Sequence, residues 1–271
     1  MLAEIQSLLN DLANAAVSVT RASGAGRAYE LLLMTSIASE LDDRGYTVQL
    51  LRSDGTVQTP TMGPVTFIQR GGAPSGIRSA SQGPNGPSSI VFQRSSQEPE
   101  WEMWNGVQFL GRSGSRHEFD ISVVPRRLGD RLRNHQRGGR PFGHGWLALE
   151  CKDMAADGTP DEMRTLLARI YDTTLLNWHA NYIGATAPLR KIYPRSPLRN
   201  GFGQASATYR MENQRVFHGI VRRTGFSSGT AQMSAYYYIR RFDNVSSYSP
   251  ELDRFVAEVC DWLDQNLPAT L

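Results

Sequence analysis

The chain is poor in the residues that lend small proteins an easy structural label. Its 271 residues include only two cysteines, Cys151 and Cys260, at no paired spacing, which excludes a disulfide framework and a cysteine-based zinc site. No run reaches the ~18 to 20 apolar residues that a bilayer crossing needs, so no membrane span is expected. The opening Met-Leu-Ala-Glu-Ile-Gln lacks the basic start and long apolar core of a signal peptide, and a bacterial-type cytoplasm is the expected location. Charge of one sign is also scarce. A formal net charge of +3 is too mild to demand a polyanionic partner unless the basic residues are locally clustered.

Lysine is the scarcest charged residue: of 29 basic side chains only Lys152 and Lys191 are Lys, and the rest are Arg. A chain that uses Arg wherever plain positive charge suffices draws attention to the places where a compact ammonium survives. What is present is otherwise ordinary for a globular protein, with 40% hydrophobic and 20% charged residues, enough to bury a core.

The spacing of apolar residues predicts an amphipathic helix over 2–18, a break at Ser23-Gly24-Ala25-Gly26, and a stronger helix over 27–43 ending near Gly45. Strands are predicted at 46–52, 64–70 and 89–94. Between the last two, 13 of the 19 residues from 71 to 89 are Gly, Pro or Ser, which reads as a long flexible loop. Residues 106–112 and 117–124 form a hairpin across a Ser-Gly-Ser turn, 145–152 is a further strand, and Pro160 opens a helix over 160–180. Strands at 214–224 and 233–242 and a helix over 251–267 complete the pattern. The order describes an α/β (α+β) fold, a mixed sheet with helices on its faces, in a single domain spanning 1–271.

Two predicted strands carry chemistry. In His117-Glu118-Phe119-Asp120-Ile121-Ser122-Val123-Val124, alternation puts Phe119, Ile121 and Val123 on a core face with His117, and Glu118, Asp120 and Ser122 opposite. In 145–152, Leu147, Leu149 and Cys151 share one face while Trp146, Ala148, Glu150 and Lys152 share the other. If the strands are neighbours, Asp120, Glu150 and Lys152 converge. Two carboxylates offer hard oxygen ligands to Mg2+, with Mn2+ able to replace it, and an adjacent ammonium orients a water and stabilises developing negative charge. With 26 acids and two lysines, an acid-x-Lys triplet arises by chance about 0.2 times, so its single occurrence carries weight. The plain alternative is a surface salt-bridge strand.

Asp120 followed by Glu150-Cys151-Lys152 resembles the PD-(D/E)XK nuclease superfamily of restriction-endonuclease-like folds, over a core of about 28–225 with peripheral helices at 2–18 and 251–267. The resemblance implies that Asp120 and Glu150 bind the divalent metal, that the Cys151 main-chain carbonyl adds a ligand, and that Lys152 is the water-positioning base. Phe119 replaces the motif's often-absent Pro. The thirty-residue gap from Asp120 to Glu150 is long for the family and requires an insertion, and no Gln or Lys after the motif stands out as a helix-borne catalytic residue.

Glu30 falls in the middle of the apolar stripe of Leu33, Met34, Ile37 and Leu41, which sets a carboxylate on a face due for burial. It reads either as a member of the metal site, as in many members of the superfamily, or as a first-turn Glu favoured by the helix dipole and paired with Arg27. Glu118 reads as an outer-shell acid or a solvated one, and His117 as a structural histidine. In the insertion, Arg126, Arg127, Arg131, Arg133, Arg137 and Arg140 face a single acid, Asp130, and are expected to form a flexible phosphate-binding segment beside the site. Arg190, Lys191, Arg195, Arg199 and Arg210 form a second cluster. Tyr236 to Tyr238, Trp101 and Trp104 read as core or sheet residues before base-stacking ones.

The expected function is therefore a Mg2+-dependent nuclease acting on DNA, a weakly specific bacterial defence or repair effector targeted by a protein partner, with the terminal helices packed on the edges or forming a homodimer face. The alternatives are a sequence-specific restriction endonuclease and a non-catalytic nucleic-acid-binding or assembly module that keeps the fold.

Overall fold

The computed structural model describes residues 1–13, 17–19, 24–52, 54–62, 65–67, 89–111, 113–134, 141, 143–174 and 216–270. Among them are six α-helices: α1 (Leu2–Ala13), α2 (Gly24–Asp43), α3 (Arg126–Asn134), α4 (Pro160–Thr174), α5 (Thr230–Tyr236) and α6 (Pro250–Asn266). The strands are β1 (Val17–Val19), β2 (Thr47–Leu51), β3 (Val65–Phe67), β4 (Ser89–Gln93), β5 (Trp101–Leu110), β6 (Arg116–Pro125), β7 (Leu147–Lys152), β8 (Phe217–Arg222) and β9 (Arg240–Phe242).

Seven strands form one open sheet in the order β2-β4-β5-β6-β7-β8-β9. It is antiparallel from β2 to β7, whereas β7, β8 and β9 run parallel. Helices cover both faces. Ile5 and Leu9 of α1, the apolar residues of α2 and those of α6 pack with Leu147, Leu149 and Cys151 into the larger core cluster. Leu128 of α3 and Met163, Leu166 and Ile170 of α4 pack with Ala148 and Ile220 into a second cluster. The architecture is mixed α/β.

Local chemistry explains the element ends. Gly45 adopts φ +87° after α2, and two hydrogen bonds, Gly45 N–H to Asp42 O at 2.8 Å and Tyr46 N–H to Leu41 O at 3.0 Å, close the helix as a Schellman turn. Ser249 Oγ accepts from Leu252 N–H at 3.1 Å at the start of α6, with Pro250 in the first turn.

Three expectations are corrected. The first helix ends at Ala13 rather than residue 18, and Val17–Val19, rich in β-branched residues, pairs in parallel with Val65–Phe67 as a separate two-stranded sheet. The expected strand 233–242 is instead the end of α5, a turn with Tyr238 at φ +54°, and the short β9. The Arg-rich insertion opens as a helix, α3, not as a flexible loop. The 71–88 part of the Gly/Pro/Ser-rich loop, the 175–180 end of the predicted fourth helix and the cluster from Arg190 to Arg210 lie outside the described residues.

Candidate active site

β6 and β7 are neighbours, as the two-strand argument requires. Their register runs from Val123 opposite Leu147 to Ile121 opposite Leu149 and stops there. Asp120 is the next residue of β6, at the point where pairing ends. Its Oδ2 accepts a hydrogen bond from the Cys151 backbone N–H at 2.7 Å. An extended residue turns its N–H and C=O to the same strand edge, so the Cys151 carbonyl lies on the β6 side of β7. The neighbouring carbonyl, that of Lys152, faces β8, where it accepts from Arg223 N–H at 3.2 Å.

The expected alternation holds in β7 from Leu147 onward, though Trp146, expected on the opposite face, joins Leu147 in the larger core cluster, and it fails in β6. Ile121 and Val123 join the larger core cluster while Phe119 joins the second one, so the alternation breaks at Asp120. The irregularity brings Asp120 under the influence of acids on both sides: burial raises its carboxyl, and Glu150 and Glu30 raise it further, to about 8.

Glu150 is buried, 5% exposed, and both its oxygens are engaged. Oε1 pairs with the Lys152 ammonium, and Oε2 accepts from Arg169 Nη1 of α4 at 2.7 Å. Burial works against the Lys152 charge, but Glu150 outweighs it and the pKa is raised. Lys152 is therefore a protonated donor at neutral pH, which corrects its assignment as a base: it can hold a water or a phosphoryl oxygen but cannot take a proton. The Cys151 thiol faces the core, and burial pushes it well above its ordinary value, so it is no nucleophile.

Glu30 joins this group from α2. It is 7% exposed, its Oε2 accepts from Asn105 Nδ2 at 2.7 Å and lies 3.6 Å from Arg27 Nη1. Glu30 pairs with Arg27 as expected and lies near Asp120 and Glu150, but α2 begins at Gly24 and carries no acid in its first turn, which corrects the first-turn placement. Burial raises its carboxyl, Asn105 and Arg27 act the other way, and Glu118 and Glu150 add to the rise. Glu118 lies 3.7 Å from Arg27 Nη2, half-buried beside the cluster. His117 is structural, with Nε2 at 2.6 Å from Asp172 Oδ2. Ser113 Oγ donates to the same oxygen at 2.6 Å. Asp172 thus sits between Ser113 and His117, whereas a nucleophilic triad needs the His against the Ser.

Sequence reasoning missed two residues, Asn105 and Arg169, and one contact of a third. Asn105 of β5 is a mid-strand Asn whose signal is only its burial next to Gly106, which adopts φ +65°. Arg169 of α4 bonds Glu150 from a helix, where the resemblance led to an expectation of Gln or Lys only. Arg27 was noticed as a partner of Glu30 and not for its second acid, Glu118.

The Arg segment departs furthest from expectation. α3 follows β6 at its far end, six residues beyond Asp120, or about 20 Å at ~3.3 Å per extended residue. Arg133 is buried: Nη1 and Nη2 bond Glu102 at 2.8 and 2.5 Å, and Nη2 also bonds Asp130 at 2.6 Å. It is a structural cation, not a phosphate contact. Arg126 lies 3.3 Å from Glu100 and donates to Gly55 O at 3.3 Å. Arg127 and Arg131 are exposed, and Arg137 and Arg140 lie outside the described residues. Trp101 and Trp104, each 3% exposed, belong to the core; Tyr236 and Tyr238 are 59% and 41% exposed.

Among the described residues no group of three or more His, Cys, Asp or Glu is arranged as a metal cage. The donor set still suits a hard divalent cation in chemistry. Asp120 is raised by burial and then by neighbouring acids whose charge such a cation would offset, and Asn105 Oδ1 is buried without a hydrogen-bond partner. No helix among the described residues is long and apolar enough to cross a membrane. No family model, no curated protein and no solved structure matches the chain.

Proposed function

We propose that the chain is a divalent-metal-dependent nuclease of the PD-(D/E)XK kind, with a restriction-endonuclease-like arrangement of its sheet, acting on DNA. One observation carries the reading: Asp120 and Glu150-Cys151-Lys152 stand on adjacent strands at the point where pairing ends, with Asp120 bonded to the Cys151 N–H and Glu30 brought in from α2.

Asp120, Glu150 and the Cys151 carbonyl would hold Mg2+ or Mn2+, with Glu150 turning one oxygen away from Lys152 or Arg169. When bound, the ion supplies Lewis-acid stabilisation of the charge that builds on the scissile phosphate. The freed Lys152 ammonium orients the attacking water and donates to a phosphoryl oxygen. Glu30, whose proton affinity is raised by burial, is fit to take the water's proton. Substrate phosphates beyond the scissile one meet the half-exposed Arg27 and Arg169, and the exposed Arg127 and Arg131 lie farther along the molecule. The long segments of the sequence are rich in Gly and Ser and bear Arg suited to phosphate contacts, which favours a weakly specific effector of bacterial defence or repair whose target is chosen by a partner.

The rival is a nucleic-acid-binding module whose acids serve structure, and the engagement of both Glu150 oxygens favours it. Incubation of the protein with plasmid and Mg2+ or Mn2+, with EDTA as control, separates the two. Metal-dependent cleavage that disappears in Glu150→Ala and Lys152→Ala supports the nuclease. Cleavage retained in both variants removes this active site, and DNA binding without cleavage by the wild type selects the rival.

A further inference from the structure

Two residues outside the motif make the same kind of contact with β6. Asn105 Nδ2 donates to Glu30 Oε2 at 2.7 Å and to the Asp120 main-chain carbonyl at 3.1 Å. Arg169 Nη1 donates to Glu150 Oε2 at 2.7 Å and to the Glu118 main-chain carbonyl at 3.3 Å. Each therefore ties a glutamate from another element to the β6 backbone, at residues two apart that both lie just beyond the last β6–β7 pair. Glu30 arrives from the helical layer on one face of the sheet and Arg169 from the layer on the other.

A buried Asn is costly unless its amide is used, and here Oδ1 has no hydrogen-bond partner among the described residues. A fold that needed only packing at this position would be served by an apolar side chain of similar size. Asn105 is instead 6% exposed and spends its donors on a carboxylate and a strand-end carbonyl. Gly106, with φ +65°, kinks β5 directly after it, a backbone conformation that only glycine adopts without strain. Arg169 is half-exposed, so its bonds to β6 and β7 are not forced by burial.

We infer that Asn105 and Arg169 are the positioning residues of the site, holding Glu30 and Glu150 on either side of Asp120 so that Glu150 gives an oxygen, with Asp120, to one divalent cation and Glu30 holds a water of that cation. The inference rests on the nuclease reading for its purpose, but its geometry is independent of DNA. Partners that orient metal ligands typically contribute ten- to hundredfold to metal affinity.

The test is a Mn2+ titration followed by electron paramagnetic resonance, which reads binding without turnover, on wild type, Asn105→Ala, Asn105→Ser, Arg169→Ala, Arg169→Lys and Glu30→Gln, with circular dichroism to confirm folding. The expected result is at least about a tenfold weaker Mn2+ midpoint for the two alanine variants. Arg169→Lys should recover part of the loss. Asn105→Ala added to Glu30→Gln should cost little more than Glu30→Gln alone, because Asn105 acts through Glu30. An unchanged midpoint in folded Asn105→Ala and Arg169→Ala overturns the inference and leaves the nuclease reading intact. Unfolding of both Asn105 variants also overturns it, because it assigns Asn105 to packing. A wild type that neither binds Mn2+ nor cleaves DNA overturns the nuclease reading and this inference with it.

Discussion

Asp120 Oδ2 and the backbone N–H of Cys151 meet at 2.7 Å, one residue past the last pair of the β6–β7 ladder. The side chain of one strand thus replaces the carbonyl that would have continued the ladder. This bond keeps the strand ends together while leaving the second carboxylate oxygen and the surrounding acids free to crowd. Burial first, and then the neighbouring Glu150 and Glu30, raise the Asp120 carboxyl.

The raised Asp120 carboxyl has a measurable pH signature. With the folded pKa near 8 and an unfolded value near 3.9, the native state binds the extra proton between these values, so stability falls as pH rises from about 4 to about 8. Asp120→Asn keeps a hydrogen-bond acceptor for Cys151 N–H and loses the charge. Urea melts should show the variant more stable than wild type near pH 8 by at least about 1 kcal/mol, with the difference shrinking toward pH 4. A difference that does not vary with pH contradicts the raised carboxyl.

Arg133 offers the sharpest separation of structure from substrate contact. Its removal would leave Glu102, which is 0% exposed, as an uncompensated buried charge beside Trp104, whose Nε1 donates to it at 2.8 Å. Arg133→Ala should destabilise the fold by about 3 to 5 kcal/mol, read by urea denaturation. Weakening of DNA binding without a loss of stability would restore Arg133 to the nucleic-acid surface.

Much of the fold was legible in the sequence because helix stripes and strand alternation report directly on burial. Period-two patterns placed the acids on their strands, but the β6–β7 juxtaposition was a condition that alternation alone cannot supply, and the structure meets it. The failures have physical causes. Six arginines suggested a solvated loop, yet Gly129 allows α3 to lie so close to the sheet that a Cβ there would fall 2.2 Å from Glu102 Oε2, and two of the six, Arg126 and Arg133, pair with acids of the fold. Charge composition cannot reveal a buried counter-ion thirty-one residues away. Asn105 and Arg169 were missed because their roles depend on contacts with Glu30 and Glu150, not on any spacing along the chain.

The two buried histidines should give an acid-side signature of opposite sign. His144 and His218 lie edge to face at 5.2 Å between ring centroids, and burial lowers both, His144 to about 4. The unfolded chain binds these protons near pH 6.5, so this stability is present above that value and is lost as pH falls toward about 4. The thermal midpoint should drop between pH 7 and pH 5 in wild type, and the drop should lessen in His144→Gln. Equal slopes in the two proteins would contradict a neutral buried pair.

Lys152 tests whether the rarest cation is used for its shape. Lys152→Arg keeps the charge but brings a planar, bulky guanidinium to a position beside Glu150 and within reach of Asp120. Plasmid cleavage should fall by at least about a hundredfold with thermal stability little changed. Retention of near-wild-type cleavage would mean that positive charge alone suffices there.

The most direct measurement is anomalous diffraction from crystals soaked in Mn2+. A peak within coordination distance, about 2.2 Å, of carboxylate oxygens from both Asp120 and Glu150 is the predicted result, with the peak abolished in Glu150→Ala. Well-ordered Asp120 and Glu150 side chains with no manganese between them at saturating Mn2+, or manganese bound only elsewhere, would contradict the account.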